Sequence, residues 1–350
     1  MKKVIVGTSG GVDSAVTAYL LKAMGYEVIG VTLRTWLTAD GRESRCCEID
    51  DAQEVARQLE MPYYAVNCLS DFRREIVTPF VDGYLQGVTP NPCVVCNRRI
   101  KWEGLLHAAQ VMGADYVATG HYARIDREEG KLLLRKAPDP GKDQSYVLYM
   151  LTQEQLAHTV FPLGGMTKEE VRAFAAERGF VNSEKRESQD ICFVPDGDYV
   201  AFLKKFTGHE YPSGDFVDKE GKVLGTHKGI VAYTPGQRRG LGLALPAPMY
   251  VSRLDVKNNR VILVYDEDLR NTEALVDDVN WISGEVPTEP VRVQAKLRYH
   301  QKEQWATAHP LEDGKVKLVF DEPIRAITPG QAAVFYNGDE VLGGGTIVLE

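Results

Sequence analysis

The amino-acid sequence predicts a doubly wound parallel α/β sheet followed by two small β-rich domains, the last of them a β-barrel. Two observations support this prediction. The first third of the chain alternates β-branched runs with amphipathic stretches at about 30 residues per unit, as in right-handed β-α-β crossovers. After residue 195, glycine and proline become frequent and the apolar runs are short. We therefore expect domains at residues 1–195, 196–272 and 273–350.

The elements of the first domain follow from apolar spacing and from the residues that end each run. Their predicted bounds are residues 3–7 (strand), 14–24 (helix), 28–33 (strand), 49–59 (helix), 63–66 (strand), 105–111 (helix), 116–119 (strand) and 167–179 (helix). The last helix opens on a capping box and ends at a glycine. In such a sheet ligands bind beyond the carboxyl ends of the strands.

The second half of the chain reads as short strands separated by turns. The predicted strands cover residues 229–233, 249–251, 260–264, 291–297, 315–320 and 332–336. The tetrapeptide Thr-Pro-Gly-Gln occurs at residues 234–237 and again at 328–331. Because Pro-Gly suits the centre of a type II turn, two similar turns explain the recurrence without an internal repeat.

Composition limits the class of protein and its compartment. The chain has 350 residues, of which 44% are hydrophobic and 26% charged, the balance of an ordinary soluble globular protein. No apolar run approaches the roughly 18 residues of a membrane span, and we expect no secretory signal. Six cysteines are too few for a disulfide scaffold, so we expect reduced thiols in a cytoplasmic protein.

The net charge of −8 argues against sequence-blind coating of nucleic acid, which needs a basic surface. Basic residues concentrate locally at residues 97–101 and 292–309. On charge alone, each patch is better interpreted as a solvated face.

A phosphate-binding loop is predicted where the first strand meets the first helix. This loop consists of Gly7, Thr8, Ser9, Gly10, Gly11, Val12, Asp13 and Ser14. Small residues let backbone amides approach an anion, and the helix N-terminus adds partial positive charge. The loop lacks the Gly-Lys-Ser/Thr ending of a P-loop and the spacing of the dinucleotide fingerprint. The structural alternative is a tight strand–helix turn with a serine cap.

The loop resembles the pyrophosphate-binding loop of the N-type ATP pyrophosphatases, which have an adenine nucleotide alpha hydrolase-like fold. Members of that superfamily transfer AMP to a carbonyl oxygen and release pyrophosphate. The resemblance implies ATP, Mg²⁺ and an adenylated intermediate, and it leaves the substrate open.

Three cysteines form the second motif. Cys93 and Cys96 are three residues apart at the mouth of a helix that we expect to begin near Asn97, and Cys192 lies far downstream among polar residues. A helix N-terminus favours the thiolate. The alternatives are half of a zinc site or small buried apolar groups. Zinc is disfavoured because no second pair has suitable spacing. The remaining cysteines are interpreted as structural thiols, and they are Cys46, Cys47 and Cys68.

Together these sequence motifs resemble those of the tRNA-specific 2-thiouridylase family along nearly the whole chain. Further strings that carry the resemblance lie at residues 118–124, 142–146, 188–193, 227–229, 236–242 and 298–299. The resemblance implies that Cys96 and Cys192 are the catalytic pair, and that the loop, Leu33 and Gly120 contact ATP. It implies that the target base meets Asn91, Pro92 and Cys93. It implies tRNA contacts for His121, Lys142, Asp143, Gln144, Arg298, Tyr299 and Gln331.

The family resemblance also implies an activity. That activity is 2-thiolation of wobble uridine 34, in which adenylation of the C2 oxygen precedes sulfur transfer and AMP and pyrophosphate are released. The implied partners are tRNAs that accept Lys, Glu and Gln and a sulfur-donor protein, with no membrane. Two alternatives remain open. They are another AMP-forming ATP pyrophosphatase acting on a small molecule, and a non-enzymatic metal or redox module that binds RNA.

Cys93 departs from the family pattern, because some members have an aspartate there. Two thiols plus a distant third resemble instead other tRNA thiolases, which bind a [4Fe-4S] cluster through three thiolates. Cys93, Cys96 and Cys192 are therefore expected either to hold such a cluster or to relay sulfur through a persulfide and a disulfide. Cysteine spacing does not separate these routes.

Overall fold

Three β-sheets organise the chain in this computed structural model, which describes residues 1–38, 41, 43–44, 47–180, 182 and 191–349. The strands are β1 (Lys3–Gly7), β2 (Glu27–Arg34), β3 (Tyr63–Asn67), β4 (Tyr116–Ala118), β5 (Ala123–Glu128), β6 (Lys131–Lys136), β7 (Thr159–Val160), β8 (Gly214–Val217), β9 (Val223–His227), β10 (Tyr250–Asp255), β11 (Arg260–Val264), β12 (Arg270–Trp281), β13 (Val291–Lys296), β14 (Gln304–Pro310), β15 (Val316–Arg325), β16 (Ala332–Asn337) and β17 (Glu340–Val348). The helices are α1 (Val12–Ala23), α2 (Ile49–Gln58), α3 (Leu69–Phe72), α4 (Thr78–Leu85), α5 (Pro92–Cys96), α6 (Glu103–Met112), α7 (Gln153–Ala157), α8 (Lys168–Glu177) and α9 (Tyr199–Thr207). Within these ranges no helix is both long enough and apolar enough to cross a membrane.

The first sheet is parallel throughout, in the strand order β3-β2-β1-β4-β7. Its central strand is covered on both faces, since Val4, Ile5 and Val6 are fully buried. Such burial on both faces is expected when helices cross over on either side of a parallel sheet. The predicted doubly wound sheet is therefore confirmed.

The third sheet closes into a six-stranded barrel. Its strand order is β12-β15-β14-β13-β16-β17, and β17 also pairs with β12. The hairpin β5–β6, which lies early in the chain, extends this sheet by pairing with β17. Arg124 and Arg135 of the hairpin both bond to Asp339 in the turn before β17. The predicted barrel is confirmed, and the hairpin ties it to the first part of the chain.

The second sheet has four strands in the order β10-β11-β8-β9, with β8 and β11 parallel. The predicted strand at residues 229–233 is wrong, because Ile230–Ala232 is a single 3₁₀ turn. Gly229 enters that turn at a φ of +113°, a conformation that extended strands of L-residues do not adopt. A Cβ on Gly229 would also lie 3.0 Å from the Cβ of Tyr211. The chain therefore turns at Gly229, where the sequence predicted the start of a strand.

The helix that carries the cysteines begins earlier than expected. Helical backbone starts at Pro92 rather than near Asn97, and it continues as α5, a π-helical turn over Asn97–Trp102, and α6. Proline suits the first helical turn, where its missing N–H would have no partner in the helix. The predicted helix at residues 105–111 is the last part of this longer element.

A close backbone joint connects the barrel to the chain that leads into α5. The Thr89 N–H donates to the Pro329 carbonyl at 3.0 Å, and the Gln331 side-chain amide donates to the Thr89 carbonyl at 2.9 Å. At Gly330, with a φ of +89°, a Cβ would lie 2.3 Å from a methyl carbon of Val88. Glycine is needed here for both its conformation and the close approach.

This joint yields a stability prediction. Gly330→Ala should lower the free energy of unfolding by about 3 kcal/mol, because strain at positive φ adds to overpacking against Val88 and Thr89. Gly338→Ala is the matched control, since Gly338 has a φ of +62° and nothing within 4 Å of the added Cβ. The control should lose about 1 kcal/mol. Urea unfolding measures both, and equal losses would contradict the joint.

Candidate active site

A cleft opens at the carboxyl ends of β1, β2 and β4. It is the position at which parallel α/β sheets bind ligands. The lining residues are Gly7, Thr8, Ser9, Asp13, Ser14, Val31, Leu33, Thr35, Phe72, Cys96, Lys101, Leu105, Thr119, Gly120, His121, Gln144 and Cys192. Ser9 of the predicted phosphate loop therefore shares one cleft with Cys96 and Cys192, as the sequence interpretation requires.

The predicted phosphate loop is held by its own hydroxyl groups. The Ser14 hydroxyl donates to the Gly11 carbonyl at 2.9 Å and accepts the Ser9 N–H at 3.3 Å. The loop turns at Gly10, whose φ is +75° and where a Cβ would lie 2.8 Å from the Glu48 carbonyl oxygen. Three residues of the loop do not line the cleft, and they are Gly10, Gly11 and the buried Val12.

Asp13 is neutralised by a lysine that the sequence interpretation did not identify. The ammonium of Lys168, at the start of α8, lies 2.7 and 2.8 Å from the two carboxylate oxygens of Asp13. The Tyr122 hydroxyl donates to the same carboxylate at 2.7 Å. Lys168 is buried, whereas the Asp13 side chain is partly exposed. The capping box in the sequence identified the helix but gave no sign of this tertiary contact.

Two glycines allow the walls of the cleft to approach each other. A Cβ on Gly120, after β4, would lie 2.9 Å from the Cβ of Asp13 and 3.0 Å from the backbone nitrogen of Ser14. A Cβ on Gly104 of α6 would lie 3.3 Å from the side chain of Leu33. The predicted ATP contact at Gly120 thus lies directly beside the loop, and the one at Leu33 lines the same cleft.

The cysteines of the Pro92–Cys96 helix face different surroundings. Cys96 is partly buried and lines the cleft, whereas Cys93 is exposed and does not line it. The next residue, Asn97, is buried and donates from its amide to the Val147 carbonyl at 2.9 Å, which fixes the turn after Cys96. The three residues of the predicted target-base loop, Asn91, Pro92 and Cys93, lie just outside the cleft lining.

Lys101 is a second cation that the sequence interpretation did not identify. It is the sole lysine or arginine among the described residues that line the cleft, and it has no carboxylate within 4 Å in those parts of the chain. Lys101 follows Cys96 by five residues across the π-helical turn. A π-helix forms backbone hydrogen bonds between residues five apart, so it places residues i and i+5 on a similar face. This turn therefore brings the side chains of both Cys96 and Lys101 to the cleft, whereas an α-helical turn would point them in different directions.

Cys192 reaches the cleft because the next residue is anchored in the core. Phe193 is 2% exposed, and its ring centroid lies 5.7, 5.1 and 5.4 Å from those of Phe72, Phe80 and Phe202. The preceding motif residues, Ser188, Gln189 and Asp190, lie outside the described residues, as does Cys46.

Two further thiols, Cys47 and Cys68, lie outside the cleft lining. Cys47 is fully buried with its Sγ 3.0 Å from the Ser44 hydroxyl, and Cys68 is 8% exposed. Burial raises the pKa of the Cys68 thiol above its ordinary value, which keeps it protonated and unreactive. Both fit the expected structural role.

The described residues do not fit a three-thiolate cluster. In these ranges no three His, Cys, Asp or Glu side chains are grouped so that they could hold a metal ion. Cys96 and Cys192 line the cleft, but Cys93 is turned to solvent outside it. Of the three thiols, two therefore line the cleft.

The predicted tRNA contacts in the first part of the chain divide between cleft and scaffold. His121 and Gln144 line the cleft, and the Gln144 side-chain oxygen accepts the Tyr122 N–H at 3.0 Å. Asp143 is 8% exposed and accepts the Ala137 N–H at 3.0 Å, so its carboxylate holds the local chain. Lys142 lines a neighbouring surface groove with residues of the α8 N-terminus.

The predicted tRNA contacts in the barrel lie at joints between parts of the chain. The Tyr299 hydroxyl donates to the Asp143 carbonyl at 3.0 Å, and Gln331 donates to Thr89 in the joint between the barrel and α5. Arg298 is partly buried, and its Nη2 donates to the Pro235 carbonyl at 2.9 Å and to the Thr328 hydroxyl.

Arg298 thereby bridges the two Thr-Pro-Gly-Gln segments, which have the same conformation. Gly236 and Gly330 have φ angles of +87° and +89°, and in each segment the glutamine N–H donates to the threonine carbonyl, at 3.0 and 3.2 Å. The two predicted turns are confirmed. Each glycine N–H also donates to a strand carbonyl, at 2.7 Å to Val251 and 2.8 Å to Ile347.

His121 is a neutral group in the cleft. Its Nδ1 lies 2.7 Å from the Thr119 hydroxyl, and its ring packs 5.5 Å from that of Trp102. Desolvation by burial, together with the nearby positive charge of Lys101, holds the pKa of His121 well below its ordinary value. The imidazole is therefore uncharged at neutral pH.

Comparison with known proteins gives three family matches along the chain. Residues 2–196 match a tRNA methyl transferase HUP domain, residues 200–265 a tRNA methyl transferase PRC-barrel domain, and residues 271–347 an aminomethyltransferase beta-barrel domain. These matches together span nearly the whole sequence.

Full-length relatives and solved structures also match. The tRNA-specific 2-thiouridylase MnmA of Acetivibrio thermocellus is 50% identical, covering 99% of each chain, and that of Clostridioides difficile is 48% identical, covering 99% of this chain and 98% of its own. The U34-tRNA thiolase NcsA from Methanococcus maripaludis with its [4Fe-4S] cluster has a TM-score of 0.38 at 20% identity, over 59% of this chain and 66% of its own. A 4-thiouridine synthetase–RNA complex with bound ATP also has a TM-score of 0.38, at 17% identity over 58% and 50%.

The burial of His121 predicts an acid-dependent stability. Because the unfolded chain protonates this histidine near pH 6.5 and the folded chain does not, stability should fall as pH drops below 6.5. His121→Gln should reduce the slope of unfolding free energy against pH in this range by up to about 1.4 kcal/mol per pH unit. Urea unfolding between pH 5 and 8 measures it. A His121→Gln variant that keeps the wild-type slope would contradict the assignment.

Proposed function

The chain belongs to the tRNA-specific 2-thiouridylase family, and we propose that it is an ATP-dependent sulfurtransferase that thiolates wobble uridine 34 of tRNA at C2. Relatives that are 48 to 50% identical over the full length support the activity. The observation that carries the proposal is the single cleft lined by Ser9, Cys96 and Cys192. A nucleotide loop and two thiols in one cleft suit activation of an oxygen followed by its replacement with sulfur.

ATP is needed because the C2 oxygen of uridine is a poor leaving group. In the proposed reaction the C2 oxygen attacks the α-phosphorus of ATP, and pyrophosphate leaves in line. The Gly7-to-Ser14 loop would hold the β- and γ-phosphates, so catalysis of this step rests on positioning and charge neutralisation. Lys101 lines the cleft, Lys168 pairs with Asp13 of the loop, and Mg²⁺ would enter with the phosphates of ATP.

Sulfur transfer is proposed to follow the relay of two thiols. The terminal sulfur of a persulfide on Cys192 attacks C2, AMP departs with the former C2 oxygen, and the base is joined to Cys192 through a disulfide. The Cys96 thiolate then attacks the Cys192 sulfur, which releases 2-thiouridine and leaves a Cys96–Cys192 disulfide. A two-electron reductant restores the two thiols. The exposed position of Cys93 favours this relay over the cluster route.

To reach Cys96 and Cys192 in the cleft, the target base must leave the stack of the anticodon loop. Unstacked loop bases are the usual targets of sequence-specific RNA recognition. Asn91, Pro92 and Cys93 lie at the N-terminal end of the helix that carries Cys96, beside the cleft. We infer that they meet the extruded uridine as it enters.

Several finer assignments are part of the same proposal. The domains are placed at residues 1–195, 196–272 and 273–350, with support from the three family matches. The tRNAs for Lys, Glu and Gln, a separate sulfur-donor protein and a cytoplasmic location follow from the family. A small-molecule ligase is disfavoured, because it would use neither the paired thiols nor the two β domains.

The thiol pair gives the central test. Cys96→Ser and Cys192→Ser should each abolish formation of 2-thiouridine from ATP, a persulfide source and unmodified tRNA, since each removes one sulfur of the relay. ATP binding should be unchanged. Mass spectrometry of nucleosides and equilibrium binding of ATP measure the two effects.

Cys68→Ser is the matched control, because this thiol is buried outside the cleft lining, and it should retain activity. Cys93→Ser should also retain at least a tenth of the activity if the two-thiol relay operates. Complete loss in Cys93→Ser, together with iron and sulfide in protein purified without oxygen, would favour the cluster instead. Wild-type protein that forms no 2-thiouridine would overturn the proposed function.

Arg298 tests the predicted tRNA contact in the barrel. Arg298→Ala should weaken tRNA binding and leave ATP binding intact, since Arg298 lies outside the cleft lining. Titrations at several salt concentrations measure the affinity and its salt dependence. A weaker dependence of tRNA affinity on salt in the variant identifies a phosphate contact of Arg298. An unchanged salt dependence indicates instead that Arg298 acts by holding the two turns that it bridges. Weakened ATP binding would contradict both roles.

A further inference from the structure

Charge is divided unequally among the parts of the chain. Residues 200–265, which form the second sheet and its flanking loops, contain ten Lys and Arg against five Asp and Glu, a net charge of +5. Residues 273–350, which include most of the closed barrel, contain seven against thirteen, a net charge of −6. The whole chain has a net charge of −8. A polyanion would therefore meet its most favourable field at the second sheet.

Six of the seven cations of residues 273–350 are engaged with other groups, and the seventh, Lys302, is exposed. Arg292 bonds to Asp321, and Lys315, Lys317 and Arg325 each pair with a carboxylate. The partly buried Lys296 and Arg298 lie against tyrosine rings and backbone carbonyls. A cation that already has a partner gains less from binding a phosphate, because that partner must first be displaced.

The second sheet is different. Lys204 and Lys219 have carboxylate partners. The other eight cations of residues 200–265 are exposed, and none has a carboxylate within 4 Å in the part of the chain that the structure describes. Four of these eight lie near the joint that leads to the active site, and we call them the basic joint surface: Arg238, Arg239, Arg253 and Lys257.

Close packing places this surface beside the chain that enters the helix of Cys96. A Cβ on Gly87 would lie 2.9 Å from the side chain of Val256 and 3.2 Å from the Cβ of Leu254, and both of these residues lie between Arg253 and Lys257. Gly87 is four residues before Asn91 of the target-base loop. Arg253 and Lys257 are thus sequence neighbours of the two residues that pack against the segment leading into the cleft.

The two arginines reach the same joint through the first Thr-Pro-Gly-Gln turn. The Val251 N–H donates to the Gln237 carbonyl at 2.9 Å, and the Gln237 side-chain amide donates to the Arg239 carbonyl at 3.0 Å. These bonds hold the arginine pair next to β10, at a point two residues from Arg253. Both arginines are exposed, so their guanidinium groups are accessible to a ligand in solution.

We propose that the basic joint surface binds backbone phosphates of the tRNA next to the extruded base, and that the second sheet rather than the barrel supplies the salt-dependent part of tRNA affinity. The proposal rests on the proposed function for the identity of the polyanion. RNA fits because its phosphates continue in both directions from the target base, so that a surface at the entrance to the cleft must meet them. Arg and Lys at such positions release counterions when they bind.

The test compares two pairs of substitutions by titrating unmodified tRNA at several salt concentrations without ATP. Arg238→Ala with Arg239→Ala should weaken binding roughly tenfold or more near 0.1 M salt, and should lower the slope of log K against log [salt] by about 0.7 to 0.9 for each phosphate that is no longer neutralised. The matched control is Arg292→Ala with Lys315→Ala, two barrel cations already paired with Asp321 and Asp313. The control should keep the wild-type slope.

Thiolation at saturating tRNA separates this inference from the proposed function. The arginine variant should then form 2-thiouridine at close to the wild-type rate, because its cleft is unchanged. An unchanged slope in the arginine variant, or an equal decrease in the barrel control, would overturn the inference while thiolation by the wild-type protein still stands. If the slopes are as expected but the wild-type protein forms no 2-thiouridine, the inference about the basic joint surface stands and the proposed function is wrong.

Discussion

The cleft depends on how closely backbone segments meet at the carboxyl edge of the parallel sheet. A Cβ on Gly120 would lie 2.9 Å from Asp13, and a Cβ on Gly7 would lie 3.0 Å from the side chain of Leu105. The first contact packs the loop after β4 against α1, and the second packs α6 against the end of β1. Because α6 continues the helix that carries Cys96, the second contact sets the distance between the phosphate loop and the thiol.

The parts predicted from sequence are those that depend on neighbours along the chain. The strand, loop and helix around Gly7 to Ser14 follow from local residue types, and the two type II turns follow from Pro-Gly. Lys101 and Lys168 could not be found in this way. Lys168 reaches Asp13 only through tertiary packing of α8, and Lys101 faces the cleft because of a π-helical turn that has no sequence pattern here. The pairing of β6 with β17 joins residues about two hundred positions apart, beyond any local signal.

The barrel influences the active site without lining the cleft. Gln331 and Pro329 bond to Thr89, two residues before Asn91, and Arg298 connects the second turn to the first. A movement of the barrel would therefore be transmitted to the start of the helix that carries Cys96. Close packing makes this transmission stiff, because Gly330 leaves no room for even one added carbon.

The net negative charge of the chain is compatible with a polyanionic substrate because electrostatic interactions in solution are local. At physiological salt the Debye length is about 8 Å, so a phosphate senses the charges in its immediate surroundings rather than the sum over the molecule. An acidic barrel beside a basic second sheet then has two effects on a bound RNA. The basic side attracts the backbone, and the acidic side disfavours poses in which the backbone crosses the outer surface of the barrel. Opposite net charge on the second sheet and on the barrel would thus contribute to the orientation of a bound RNA as well as to its affinity.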